Sequence, residues 1–115
     1  GVWRQGNITT TSSGGDGEQY FRFTANAYTQ YIYVTFGTMN NMNVSIYDSN
    51  NDPVGGYTHA YGTTGFSEVK YTSRSLTMGQ TYYIVVRPGD YQYGYSATAG
   101  TYRIQFSASS SAPSP

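Results

Sequence analysis

The chain contains no cysteine. Disulfides, thiol nucleophiles and cysteine-ligated metals are therefore excluded. Charge is scarce as well: six basic and six acidic side chains cancel, and they are scattered singly. Without a basic stripe, neither nucleic acid nor an anionic membrane surface is drawn to this chain by its field. The longest uncharged apolar run falls far short of a membrane span.

Catalytic material is equally thin. A nucleophilic hydrolase needs a base beside its Ser or Thr, yet His59 is the sole histidine and no G-x-S-x-G element occurs. Glycoside hydrolysis needs paired carboxylates across a cleft. Here Glu18 and Glu68 are the only glutamates, and the aspartates Asp16, Asp48, Asp52 and Asp90 fall in apparent turns. The chain is expected not to be an enzyme.

What it has in abundance is tyrosine: 14 of 115 residues, with five phenylalanines and one tryptophan. Tyrosine joins a flat apolar ring to a polar hydroxyl and loses little entropy on ordering. Such a residue suits a surface that binds by stacking and hydrogen bonding.

Alternation with a period of two dominates, and helical periodicity is nearly absent. In Tyr31–Phe36, Ile32, Val34 and Phe36 share one face while Tyr31, Tyr33 and Thr35 share the other. Phe21 and Phe23 point together in Tyr20–Thr24, as do Val44 and Ile46 in Asn43–Tyr47. Tyr102, Ile104 and Phe106 do so in Thr101–Phe106. Half-buried strands of this kind belong to antiparallel sheets with one wet face.

Tyr82–Val86 is apolar on both faces and reads as a central strand. Weaker strands are expected near Trp3–Thr11, Val54–Tyr61 and Phe66–Thr72, with glycine-, asparagine- and proline-rich turns between. Seven or eight short strands predict an all-β antiparallel sandwich of jelly-roll type. A single module over 1–108 is expected, followed by a Ser/Pro-rich linker over 109–115. The opening residues lack a signal-peptide pattern, so the chain is expected to begin inside a longer precursor.

The strand motifs resemble the bacterial pre-peptidase C-terminal domain family and its relatives. The matching pieces are Gly17–Phe23, Tyr31–Phe36, Asn43–Ser49, Leu76–Val86 and Gly100–Phe106. The resemblance implies a non-catalytic β-sandwich appended to secreted bacterial hydrolases, among relatives that bind collagen with calcium or hold polysaccharide. This chain departs from the commoner pattern at Asn43, where an acidic residue often stands, and in its tyrosine-rich loops.

Candidate ligand contacts follow from residue type. The segment Asp90-Tyr91-Gln92-Tyr93-Gly94-Tyr95 places three rings beside an amide and a carboxylate. Rings can lie on the C–H face of a sugar while Gln92 or Asp90 bonds its hydroxyls. The alternative is that Tyr93 or Tyr95 folds back over the core edge. A second platform is Tyr57, His59 and Tyr61, which a strand would align on one face. Tyr31 and Tyr33 form a third outward pair, expected to meet neighbours such as Tyr47. Trp3 is expected to plug the core.

Asp48-Ser49-Asn50-Asn51-Asp52 has the oxygen spacing of a calcium loop. Pro53 replaces the glycine expected next, however, and His59 stands where a bidentate carboxylate belongs, so an Asx turn is the better reading. A calcium ion of structural kind, held by Asp16 or Glu18 with Asp90, stays open. Together these features predict a carbohydrate-binding module of a secreted multidomain bacterial enzyme. It would be monomeric, covalently joined to other domains, and bound to polysaccharide through tyrosines. The alternative is a protein-interaction or structural repeat module of an exported protein.

Overall fold

The structure is a computed structural model, and it describes residues 2–11, 17–89 and 98–115. Eight strands occur in order: β1 (Arg4–Ile8), β2 (Gln19–Thr24), β3 (Thr29–Phe36), β4 (Asn41–Asp48), β5 (Thr58–Tyr61), β6 (Val69–Ser75), β7 (Thr81–Pro88) and β8 (Gly100–Ser107). They form two four-stranded sheets, β1-β8-β3-β6 and β2-β7-β4-β5, with antiparallel pairing throughout the described residues. The pairs β1/β8, β2/β7, β3/β6 and β4/β5 nest like a hairpin wrapped round itself, which is the jelly-roll topology. Among the described residues no helix is long and apolar enough to cross a membrane.

Alternation decides which residues lie between the sheets. Ile32, Val34, Phe36, Tyr102 and Ile104 from the first sheet meet Phe23, Met42, Val44, Ile46, Tyr82, Ile84 and Val86 from the second. Phe21 is partly buried and stands edge-on to Tyr102, with ring centres 6.3 Å apart. The Tyr102 hydroxyl donates to the Gln19 side chain, and burial pushes its pKa well above the usual phenol range. β7, apolar on both faces, is an inner strand between β2 and β4, as its composition requires.

Four expectations need correction. Trp3 lies outside the core; it is half-buried and its indole donates to the Ser114 carbonyl at 2.9 Å. Tyr31 and Tyr33 do not meet Tyr47, which is in the other sheet, and both pack instead against Tyr71 of β6. The outer face of β3 is only partly wet, for Tyr33 and Thr35 are buried there. Finally, β5 starts at Thr58 rather than Val54, and β6 starts at Val69 rather than Phe66. Arg74 takes the Val54 and Gly56 carbonyls that an earlier start of β5 would use, and Phe66 sits at φ 55°, a turn conformation.

Candidate functional site

The outer face of the second sheet carries a groove of about 280 Å³. Alternation along β4 sends Asn43, Ser45 and Tyr47 outward, opposite the core residues Met42, Val44 and Ile46. Across the ladder Asn43 pairs with Arg87 of β7 on one side and with His59 of β5 on the other. Asn43 and Ser45 make the floor, Arg87 and Tyr47 one flank, and Pro53, Gly55, Gly56 and Tyr57 the opposite wall.

That wall is the connection from β4 to β5, and three devices hold it. The Asp48 carboxylate accepts the amides of Asn50 at 2.9 Å and Asp52 at 3.0 Å. Both go to Oδ1, and they are Asx-turn bonds. Val54 then bonds back to the Ile46 carbonyl at 2.8 Å, and Gly55 turns the chain at φ 73°, a conformation glycine adopts without a side-chain clash. From the other sheet Arg74 donates to the carbonyls of Val54 and Gly56 and to the hydroxyls of Thr58 and Thr72. No carboxylate partners Arg74 among the described residues, and burial lowers its pKa.

Electrostatically the groove is balanced. Arg87 Nε donates to Glu18 Oε2 at 2.6 Å, and Glu18 Oε1 accepts from the Tyr20 hydroxyl at 3.0 Å. The Arg87 hydrogen bond holds the Glu18 carboxyl below the ordinary carboxylate range, against an opposing effect of burial. For Arg87, burial disfavours the charge, but hydrogen bonds to Glu18 and Tyr47 outweigh it and raise the pKa. A guanidinium has more donors than these two bonds use.

Two features of the groove are unfinished. The Asn43 side-chain oxygen is buried and has no hydrogen-bond partner among the described residues. Tyr57, on the rim, is 59% exposed, and no ring contact involves it among the described residues. Both residues line the one groove, which thereby offers a ligand an uncovered ring and an amide side chain.

The expected platform is thus divided by the structure. Tyr57, His59 and Tyr61 share the outward parity, but only Tyr57 lines the groove. The His59 ring lies 5.5 Å from that of Tyr61 and is hydrogen-bonded to the buried Asn41 side chain. The Asn41 oxygen and His59 ring also fill the space a side chain at Gly89 would take, so only glycine fits there without displacement. The segment Asp90, Tyr91, Gln92, Tyr93 and Tyr95 lies outside the described residues, as does Asp16. Among the described residues no three His, Asp or Glu side chains gather as a metal site. Sequence reasoning missed Asn43, Ser45, Tyr47 and Arg87 as groove residues. Their outward alternation on β4 and β7 was readable, but the wall that turns a flat sheet face into a groove depends on Arg74, a contact between sheets.

Comparison with models of known protein families finds no match to this chain. Comparison with curated proteins finds no match either.

Proposed function

We propose that this jelly roll is a non-catalytic carbohydrate-binding module and that the groove on its second sheet is the binding site. The observation that carries this reading is the exposed Tyr57 ring lining the same groove as Asn43, whose side-chain oxygen has no donor among the described residues. A sugar ring offers both complements: an apolar C–H face for the tyrosine and hydroxyl donors for the amide oxygen. Ser45 and the spare donors of Arg87 supply further polar contacts at the same depth. The setting, a module joined to a secreted bacterial hydrolase, follows from the resemblance of the strand motifs. There it would raise the enzyme's effective concentration on its polymer.

The test is retention of the purified domain on insoluble cellulose, xylan, chitin, mannan and collagen, each with calcium and with EDTA. The reading expects retention on a polysaccharide, insensitive to EDTA and lost in Tyr57→Ala. Retention lost in a Tyr91, Tyr93 and Tyr95 triple alanine variant, but kept in Tyr57→Ala, would move the site to that segment. Retention on collagen alone would establish the protein-interaction alternative instead.

A further inference from the structure

We infer that the groove selects neutral saccharides over acidic ones, and that Glu18 sets this selectivity from outside the groove by neutralising Arg87; the inference rests on the binding function proposed above. Among the described residues Arg87 is the only charged one lining the groove, and a bare arginine there would recruit a uronate carboxylate as a charge-assisted, bidentate partner. The structure does not leave it bare. Glu18 reaches Arg87 Nε at 2.6 Å, and Glu18 is not itself among the lining residues. The carboxylate is fixed in turn by the Tyr20 hydroxyl at 3.0 Å. An anionic ligand entering beside Arg87 would therefore meet a second carboxylate at close range.

Asn43 points the same way. Its side-chain oxygen needs a donor, and its neighbours cover it. Asn43 lines the groove and its terminal torsion is broad and soft, so a ligand can engage the oxygen by rotating the amide. A sugar hydroxyl can donate to that oxygen, whereas a carboxylate brings only lone pairs to it. Ser45, almost buried on the adjoining part of the floor, both donates and accepts and so fits a second hydroxyl. One neutral pyranose, stacked on Tyr57 with hydroxyls towards Asn43 and Ser45, uses every unfinished group. A uronate that turns its carboxylate towards this floor offers Asn43 only lone pairs and opposes Glu18.

The experiment is calorimetric titration of the domain with cello-, xylo- and manno-oligosaccharides against oligogalacturonate and oligoalginate, for the native chain and for Glu18→Gln. The native domain is expected to favour a neutral oligosaccharide. Glu18→Gln should shift the affinity ratio towards the uronates by about tenfold, the change that ~1.4 kcal/mol represents. The uronate affinity gained should fall with added salt, since it comes from an unpaired cation, and a structural defect would show no such dependence. Uronates bound as tightly as neutral sugars by the native domain would overturn the inference while leaving a carbohydrate site in place. An unchanged ratio in Glu18→Gln would overturn the role of Glu18. Binding to neither class would overturn the carbohydrate reading, and the selectivity with it.

Discussion

On the outer face of the first sheet, Tyr31, Tyr33 and Tyr71 lean on one another with ring centres 6.1 to 6.2 Å apart. Tyr33 is sealed beneath, and its hydroxyl donates to the Ser109 carbonyl at 2.6 Å. On the second sheet Tyr57 stands at a groove whose floor holds an acceptor without a donor. Both faces are tyrosine-bearing, and Tyr71 is as exposed as Tyr57, at 64% against 59%. Exposure therefore does not separate them. On the first face the three rings pack on one another and the Tyr33 hydroxyl is bonded, while on the second the Tyr57 ring makes no ring contact among the described residues. Tyrosine near a sheet edge stabilises a fold in one place and waits for a ligand in the other, and the neighbours decide which.

The comparison breaks most visibly at Tyr33. Tyr33→Ala should destabilise the fold by about 3–5 kcal/mol, as large-to-small changes at buried aromatics do, without altering any sugar contact. Denaturant unfolding measures it; a small loss would mean that the first face is open surface. Next comes Arg74, which ties the groove wall to the other sheet. Arg74→Met should cost roughly 2 kcal/mol, in the range for hydrogen bonds to a charged group, and weaken saccharide binding as well. Stability and affinity falling together would show that the groove is built from both sheets.

Tyr57→Ala should do the reverse of Tyr33→Ala: about a tenfold loss of affinity by titration, with a melting temperature close to the parent's. The smallest effect concerns Glu18. Its folded pKa lies below the ordinary value because Arg87 bonds the ionised form. The stability it adds is therefore present above the usual carboxylate range and lost as the pH falls through the depressed folded pKa. The melting temperatures of the native chain and Glu18→Gln should differ at neutral pH and converge in strong acid. A difference unchanged by pH would contradict the pairing with Arg87.

The sheets were legible from the chain because burial on one side imposes a period of two, and β2, β3, β4 and β8 fall where alternation places them. The boundaries of β5 and β6 were not, because Val54 and Phe66 look like strand residues. One is claimed by Arg74 across the sandwich and the other sits in a turn at φ 55°. At the site, outward parity grouped Tyr57, His59 and Tyr61, of which only Tyr57 lines the groove. It could not tell that His59 is bonded to Asn41, since that contact joins residues 18 apart across two strands. Arg87 and Glu18 lie 69 residues apart, and a pattern read along the chain has no means of joining them. Asp48 was legible as an Asx turn because the residues it bonds are its near neighbours.

The most direct measurement is an amide NMR titration of the domain with the oligosaccharide that the retention panel selects. The account predicts that the shifting resonances map to Asn43, Ser45, Tyr57 and Arg87 while Tyr31, Tyr33 and Tyr71 stay still. Shifts confined to the Tyr31, Tyr33 and Tyr71 face, or none at the groove, would contradict it.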